Sequence, residues 1–192
     1  NLTYSDIARS YLIREGLTPE LVINTGSPMN EVLSYYEKDI AASTILNSLN
    51  LTSREYFLVS IHREENLTHD NIIKVCAVLS MVAGRYGFPV IVSTHPRTKK
   101  QLEGNSVLSE PNIHFLKPFG FFDYNSLQRN ACVVISDSGT ITEEASLQNF
   151  KAINLRETHE RPEGMEEAVV IMSGLSEERV RQAIDFYINP AL

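Results

Sequence analysis

The sequence of 192 residues contains only two cysteines, Cys76 and Cys132, which lie far apart in the chain. Neither belongs to a Cys-x-x-Cys pair or a Cys/His cluster, so a zinc site and a disulfide framework are both disfavoured. Their neighbours are apolar, so we expect buried, reduced thiols in a cytoplasmic protein. No apolar run approaches the roughly 20 residues that a membrane-spanning helix needs, and no signal peptide opens the chain. We therefore expect no membrane partner.

Basic residues are also scarce, with 17 Lys and Arg against 24 Asp and Glu and a formal net charge of −7. This balance disfavours a nucleic-acid partner. The patterns GxGxxG and GxxxxGK[ST] are both missing, which disfavours a nicotinamide dinucleotide site and a P-loop ATPase. We expect no metal and no cofactor. The chain has no starting methionine, and we expect it to be a fragment.

Short apolar runs rich in β-branched residues alternate with longer amphipathic segments, which is typical of a parallel sheet covered by helices on both faces. The clearest helix is predicted at 70–85, a second at 28–36 with Ser27 as N-cap, and a third at 175–188. We predict an α/β fold with a Rossmann-like, doubly wound parallel sheet, forming one domain over 1–192, with 1–20 as an interdomain helix. The predicted strands are 21–24, 56–61, 89–93, 113–116, 132–136, 152–155 and 168–172.

Polar segments follow four of these strands, and in open α/β sheets ligands bind beyond the carboxyl ends of the strands. Ser138-Gly139-Thr140 joins one strand to a helix whose N-terminal N–H groups favour a phosphate. Thr140-x-x-Glu143 matches a capping box, which leaves Glu144 to accept hydrogen bonds from ribose hydroxyls. The alternative is a well-capped helix that binds nothing. The four segments are 61–66, 93–97, 136–140 and 156–163.

Other candidates also have a structural alternative. His62 follows an apolar strand, and a histidine there can donate to a phosphate, protonate a leaving oxygen or only stabilise the loop. Asp137 is interpreted as a residue that fixes its loop, because a carboxylate beside a phosphate would repel it. The aromatic run at 119–124 offers a face for a base or a lid on the core. A local basic cluster, which is either functional or a solvated loop, consists of His95, Arg97, Lys99 and Lys100.

Three runs, HREEN at 62–66, SDSGTITEEA at 136–145 and RETHERPEG at 156–164, resemble motifs of the non-hydrolysing UDP-N-acetylhexosamine 2-epimerases. The resemblance covers essentially the whole chain, and the motifs occur in the family's order. It implies the glycosyltransferase-B architecture, with two Rossmann-like domains and the active site between them. This chain is similar to the C-terminal half, so the N-terminal domain is expected to be missing. The full-length protein is expected to form a homodimer.

The resemblance also implies roles for individual residues of this sequence. His62 contacts phosphate and takes part in catalysis, while Ser138, Gly139 and Thr140 hold the diphosphate of UDP and Glu144 holds its ribose. The uracil lies near Tyr124, with backbone contacts around Phe119. Further contacts to substrate or phosphate are expected from Arg63, His95, Arg97, Arg161 and Glu163.

The implied reaction eliminates UDP from a UDP-sugar across C1–C2 and adds it back after inversion at C2. The carboxylates that move the C2 proton belong to the missing domain, so this chain alone is expected to be inactive. Thr140 replaces the family's second glycine, Glu64 its second arginine, and THPRT at 94–98 its HxNP. These departures favour the UDP-N-acetyl-L-fucosamine branch, in capsule or O-antigen synthesis. The alternatives are the donor half of a glycosyltransferase-B enzyme and a nucleotide-binding module without catalysis.

Overall fold

The computed structural model describes residues 1–63, 66, 68–94, 98–99, 102, 110–156 and 170–189. The chain divides into two compact units, residues 1–38 and residues 39–192. Within the first unit, β1 and β2 pair in parallel, and Ser5 caps α1 by accepting a hydrogen bond from the Ala8 N–H at 3.0 Å. Its elements are β1 (Leu2–Thr3), α1 (Asp6–Arg14), a 3-10 turn (Pro19–Leu21), β2 (Ile23–Asn24) and α2 (Met29–Tyr35).

The second unit is built on a six-stranded parallel sheet with the order β5-β4-β3-β6-β7-β8. Its strands are β3 (Phe57–Ser60), β4 (Val90–Ser93), β5 (Ile113–Leu116), β6 (Val133–Ser136), β7 (Ala152–Asn154) and β8 (Val170–Met172). Its long helices are α5 (His69–Tyr86), α6 (Phe121–Asn130), α7 (Ile141–Gln148) and α8 (Glu177–Ile188). Two short helices precede them, α3 (Glu37–Ala41), which crosses the boundary between the units, and α4 (Ile45–Ser48).

Side chains of each central strand point alternately to two hydrophobic clusters, one on each face of the sheet. In β3, Phe57 and Val59 belong to the cluster that also holds buried residues of α5 and α8, whereas Leu58 belongs to the cluster with residues of α6 and α7. Burial on both faces explains why these strands are continuous apolar runs. The predicted Rossmann-like, doubly wound sheet is confirmed, because the strand order is the 3-2-1-4-5-6 of that fold. The switch point lies between β3 and β6.

Most predicted elements are present, with differences of one or two residues at their ends. The strand 113–116 is confirmed at both ends, whereas Leu21 lies in the 3-10 turn and not in β2. The helix predicted with Ser27 as N-cap has Pro28 at that position, and the Ser27 hydroxyl accepts from the Met29 N–H at 3.2 Å. Helix α8 begins at Glu177 and not at 175, because Ser176 caps it by accepting from the Arg179 N–H. Residues 168 and 169 of the last predicted strand lie outside the described residues.

The two cysteines differ in burial. Cys76 is buried and Cys132 half-buried, neither forms a disulfide, and burial raises the pKa of both thiols. In the part of the chain that the structure describes, no helix is long and apolar enough to cross a membrane. The helix expected over 1–20 is limited to α1, because β1 precedes it and the 3-10 turn begins at Pro19. The single-domain assignment of 1–192 and an interdomain role for 1–20 stay predictions.

Two glycines near the end of α5 give a matched test of this backbone. Gly87 ends the helix at φ +70°, where a side chain is strained, whereas Gly84 lies inside the helix and a Cβ there would meet nothing within 4 Å. We expect Gly87→Ala to lower the free energy of unfolding by about 1 kcal/mol. We expect Gly84→Ala to raise it by about 0.5–1 kcal/mol. Urea unfolding of both variants measures this, and effects of the same sign would contradict the assigned helix end.

Candidate active site

A row of buried polar residues ends four adjacent strands at the carboxyl edge of the sheet. Ser93, Ser60, Ser136 and Asn154 occupy matching register positions on β4, β3, β6 and β7, and all four are buried. The chain segments that follow these residues start from one edge because the strands are parallel. Two of these segments, at 61–63 and 137–140, flank the switch point, where open α/β sheets bind ligands.

The carboxylate of Asp137 connects these two segments. It is fully buried, and it accepts hydrogen bonds from the backbone N–H of His62 at 3.1 Å and of Arg63 at 3.0 Å. It also accepts from Asn66 Nδ2 at 2.9 Å. A buried carboxylate needs such donors, because without them burial of its charge would be costly. The interpretation of Asp137 as a residue that fixes the loop is confirmed.

The side chain of His62 makes a second contact with the sheet. Its Nε2 lies 2.6 Å from the hydroxyl oxygen of Ser60, which is 1% exposed. The imidazole itself is exposed. His62 is thus held by its backbone through Asp137 and by its ring through Ser60, and as a whole residue it is exposed. A catalytic role for His62 is compatible with this geometry and stays a prediction.

The turn at 138–140 is stabilised mostly by side chains. The Ser138 N–H donates to the Ser136 hydroxyl at 3.1 Å, and the Thr140 N–H donates to the Ser138 hydroxyl at 3.2 Å. The Asn154 amide donates to the Ser138 carbonyl at 3.3 Å. The first turn of α7, which follows directly, has N–H groups without partners inside the helix. The hydroxyls of Ser138 and Thr140 and this helix end therefore form the polar surface of the turn.

Glu144 is expected to be free to bind a ligand, but both of its carboxylate oxygens accept hydrogen bonds within the chain. Its Oε1 accepts from the Thr140 hydroxyl at 2.6 Å, and its Oε2 accepts from Gln128 Nε2 at 2.5 Å. Thr140 makes no side-chain cap hydrogen bond, so the predicted capping box of Thr140 and Glu143 is wrong. The reason is helical geometry, because residues four apart share a face as readily as residues three apart. Each carboxylate oxygen of Glu144 retains a lone pair for a further donor.

The hydroxyl hydrogens of this turn have a defined direction. Thr140 donates its one hydroxyl hydrogen to Glu144, so in the 2.9 Å contact between the two hydroxyls Ser138 is the donor. Gln128 is 0% exposed, and among the described residues its buried Oε1 has no partner. The Oε1 end of the Gln128 amide is buried without a partner, so the hydrogen bond from its Nε2 end to Glu144 determines how the amide is oriented. Thr140 contacts both Ser138 and Glu144, so the positions expected for the diphosphate and the ribose are connected through it.

Tyr124 and Phe119 lie beside this network, and both are partly buried against the hydrophobic cluster that holds Leu58. Burial raises the pKa of Tyr124 to about 12, the Ser60 hydroxyl lowers it, and the carboxylates of Glu144 and Asp137 raise it. The expected stacking of a base near Tyr124 stays a prediction.

The remaining predicted site residues lie mostly outside the described part of the chain. Arg63 is brought to the site through its backbone contact with Asp137. His95, Arg97, Arg161 and Glu163 lie outside the described residues, as do Glu64 and Lys100. Within the described part of the chain, no group of three or more His, Cys, Asp or Glu side chains is placed to hold a metal ion.

Five residues that hold the site from within the fold were given no role from the sequence, although the candidate segments 61–66 and 136–140 contain two of them: Ser60, Asn66, Gln128, Ser136 and Asn154. A signal was available for three of them, because the apolar strands containing 60, 136 and 154 each change to a small polar residue near the end. Gln128 and Asn66 had no such signal. Their roles depend on contacts with Glu144 and Asp137, which are distant in the chain.

A cavity of about 590 Å³ lies at the opposite, amino edge of the sheet. Cys132 and Lys151, which directly precede β6 and β7, line it together with Arg54 and Tyr187. Its two cations are engaged with the backbone, since Arg54 Nη1 donates to the Ala131 carbonyl and Lys151 Nζ to the Tyr187 carbonyl. The predicted ligand edge is therefore separate from this cavity.

A Rossmann-like sheet with hydroxyls and a helix N-terminus at its switch point is an arrangement typical of domains that bind nucleotides. The family model described as UDP-N-acetylglucosamine 2-epimerase matches residues 1–191, so this chain belongs to that family. It is 29% identical over 194 residues to the UDP-N-acetylglucosamine 2-epimerase of Methanocaldococcus jannaschii. The matched region covers 96% of this chain and 53% of the relative. The family expected from the motifs is confirmed.

Solved structures of the same family have the same fold. The UDP-N-acetylglucosamine 2-epimerase of Rickettsia bellii matches with a TM-score of 0.89 and 47% identity, over 97% of this chain and 50% of that one. The M. jannaschii enzyme in complex with UDP-GlcNAc and UDP matches with a TM-score of 0.85 and 28% identity, over 98% of this chain and 54% of that one. This chain thus spans about half the length of the relatives it matches.

The buried contacts of Asp137 give a test of the site's framework. We expect Asp137→Asn to lower the free energy of unfolding by about 1.5–3 kcal/mol, because one amide oxygen cannot replace two carboxylate oxygens for these donors. The control is Asp123→Asn, since Asp123 is only half-buried and accepts from the Ser43 hydroxyl at 2.6 Å. Urea unfolding measures both variants. An effect of Asp137→Asn no larger than that of the control would contradict this role.

Proposed function

We propose that this chain is the UDP-binding part of a UDP-N-acetylhexosamine 2-epimerase. The observation that carries the proposal is the connected network of Ser138, Thr140 and Glu144 at the switch point, in a chain of this family. The M. jannaschii relative, whose structure contains UDP-GlcNAc and UDP, supports the choice of nucleotide. The chain spans about half the length of the relatives it matches, so the proposal concerns only the part of the active site that this chain contributes.

The diphosphate is proposed to bind at 138–140. The Ser138 hydroxyl and the N-terminal N–H groups of α7 can donate there, and the helix dipole favours an anion. Asp137 does not oppose it, because its buried carboxylate accepts from the loop donors described above. On binding, the Ser138 hydroxyl would turn its hydrogen from Thr140 to a phosphate oxygen.

The ribose is proposed to bind at Glu144. Gln128 and Thr140 hold its two oxygens and leave lone pairs for the two ribose hydroxyls. A carboxylate that is fixed before the nucleotide arrives loses little side-chain entropy on binding. Phe119 and Tyr124 supply the adjoining aromatic surface, and we propose that the uracil binds there.

In the proposed reaction a base removes the C2 proton and the C–H electrons form a C1–C2 double bond. The C1–O bond breaks, and UDP leaves with the bonding electrons. UDP then adds back to C1, and a proton returns to the opposite face of C2. The role proposed for this chain is to stabilise the leaving diphosphate through His62 and the N–H groups of α7. The groups that exchange the C2 proton are proposed to lie outside this sequence.

Residues 1–38 support the proposal that further chain completes the enzyme. This unit exposes many large apolar side chains, and clusters of such side chains mark docking surfaces. The exposed residues are Leu2, Tyr4, Tyr11, Leu21, Ile23, Val32 and Tyr35. We propose that an N-terminal domain of the same protein packs on them, that 1–20 belongs to the region between the domains, and that the full-length protein is a dimer.

The sequence departures at Glu64, 94–98 and Thr140 support a narrower proposal. We assign the chain to the branch that acts on UDP-N-acetyl-L-fucosamine, in the cytoplasm, in the synthesis of capsular or other surface polysaccharide. The hydroxyl of Thr140, which replaces the family's glycine, makes a 2.6 Å hydrogen bond to Glu144. A glycine there would leave Oε1 of Glu144 without this partner.

Binding of UDP by the isolated chain tests the site. We expect UDP to bind at least about tenfold more tightly than uridine, or by about 1.4 kcal/mol. Glu144→Gln should weaken UDP by about 1.5–3 kcal/mol and 2′,3′-dideoxy-UDP far less. It should also lower stability, because an amide cannot accept from both Thr140 and Gln128. Calorimetry measures this.

The matched control is Glu177→Gln, which changes an acidic residue in the first turn of another helix, α8, and should leave UDP affinity unchanged. Equal affinity for UDP and uridine would contradict the diphosphate site. Equal losses for UDP and its dideoxy analogue in Glu144→Gln would contradict the ribose assignment.

Exchange of the C2 proton tests the division of labour. We expect the 192-residue chain to leave the C2 proton of UDP-N-acetylhexosamines unexchanged in D2O, because the exchanging groups are assigned to the other domain. Proton NMR of the sugar follows this over hours, and a full-length relative of the family is the positive control. Deuterium appearing at C2 with the chain alone would place the catalytic acids and bases in this half.

A further inference from the structure

Two glutamines, Gln128 of α6 and Gln148 of α7, form hydrogen bonds between these two helices. Both amide ends of Gln148 are paired, because its Nε2 donates to Asn125 Oδ1 at 2.8 Å and its Oε1 accepts from Arg129 Nε at 2.6 Å. In Gln128, Nε2 donates to Glu144 Oε2 at 2.5 Å, whereas the buried Oε1 has no partner among the described residues. The fold thus satisfies one amide completely and the other only in part.

The unpaired oxygen of Gln128 indicates that this residue does not serve stability alone. Gln128 is 0% exposed, and a buried carbonyl oxygen without a donor lowers the free energy of unfolding. An apolar side chain of similar length, such as methionine, would avoid this cost at the same position. Glu144 is only half-buried, so water can take the place of the amide there. The hydrogen bond from Gln128 therefore serves the carboxylate of Glu144 more than it serves the fold.

Gln128 holds Glu144 from a separate helix. Thr140, which donates to the other carboxylate oxygen, directly precedes α7 and so belongs to the same helix end as Glu144. Gln128 belongs to α6, where Tyr124 lies four residues earlier and on the same face of the helix. The hydrogen bond therefore fixes the carboxylate relative to the helix that carries part of the proposed uracil surface. Donors on both oxygens also prevent the carboxylate from rotating.

We propose that Gln128 is a positioning residue that holds Glu144 for both ribose hydroxyls and so makes the site prefer ribose to 2′-deoxyribose. This inference rests on the proposed function. A carboxylate held in one orientation offers one lone pair on each oxygen, and a sugar without one hydroxyl leaves one of these oxygens without its donor. A carboxylate that can rotate accepts from the remaining hydroxyl with either oxygen. It therefore distinguishes the two sugars less well.

The affinities of the 192-residue chain for UDP and 2′-deoxy-UDP test this role. In the unmodified chain we expect calorimetry to show about tenfold tighter binding of UDP. In Gln128→Met we expect UDP to weaken about fivefold and 2′-deoxy-UDP less than about twofold, because only UDP uses the fixed orientation of Glu144 in full. The preference for UDP should thus largely disappear. Urea unfolding should show no loss of stability in Gln128→Met.

Gln148→Met is the matched control, because it makes the same change between the same two helices. The oxygen that Gln148 leaves without its donor belongs to Asn125, which is 4% exposed. We therefore expect this variant to lower the free energy of unfolding. It should keep the preference for UDP over 2′-deoxy-UDP, since the amide of Gln148 bonds to Asn125 and Arg129. The two variants are thus expected to separate stability from sugar selectivity.

An unchanged preference for UDP in Gln128→Met would overturn the proposal and leave the UDP site intact. Equal losses for both nucleotides would also overturn it, because they indicate a general distortion of the site. So would a larger loss of stability in Gln128→Met than in Gln148→Met. If Gln128→Met does not fold, Gln128→Asn decides, because its shorter amide stays polar but does not reach Glu144, and an unchanged preference there overturns the proposal. Failure of the unmodified chain to bind either nucleotide would instead refute the proposed function.

Discussion

The buried carboxylate of Asp137 holds together the two loops from which the candidate site is built. It lies at the end of β6 and accepts hydrogen bonds from the segment that follows β3, across the switch point of the sheet. A charge in this position is stable only while its donors remain in place, so the carboxylate and the loop stabilise each other. The positions of His62 and of the turn at 138–140 both depend on this contact.

Around this anchor the site uses neutral hydroxyls and amides rather than surface charges. The hydroxyls of Ser60 and Ser136 and the amide of Asn154 lie at one level of the sheet, and each contacts the loop residue above it. Such contacts keep a site rigid without adding charge that a diphosphate would meet. Buried polar groups that are hydrogen-bonded also specify a single arrangement of the loops.

The connection between Thr140 and Glu144 has a consequence for binding. Because one hydroxyl contacts both the diphosphate turn and the ribose carboxylate, a change at either position reaches the other. We therefore expect the two parts of UDP to contribute non-additively to its affinity. Coupling of this kind is usual between residues of one hydrogen-bond network.

Much of the fold could be predicted from the sequence, because each strand is an apolar run and each long helix has a clear period. Strand 113–116 and the role of Asp137 followed from local pattern and simple electrostatics. Contacts between distant residues could not be predicted in this way. The pairing of Gln128 with Glu144 depends on how α6 packs in the fold, which no local pattern encodes.

The error at Thr140 has a different origin. Both Glu143 and Glu144 follow it at helical spacing, and the sequence favoured the capping box at three residues. In the structure the Thr140 hydroxyl bonds to the glutamate four residues along, where Gln128 holds the other oxygen of the same carboxylate. Tertiary contacts thus decided between two local options of similar energy.

A crystal structure of the 192-residue chain with UDP would test the central claim most directly. The account predicts the two phosphates against the hydroxyls of Ser138 and Thr140 and the first turn of α7, with both ribose hydroxyls donating to Glu144. His62 should approach the diphosphate while its Nε2 remains on Ser60. UDP bound instead at the amino edge of the sheet, beside Arg54 and Lys151, would contradict the account.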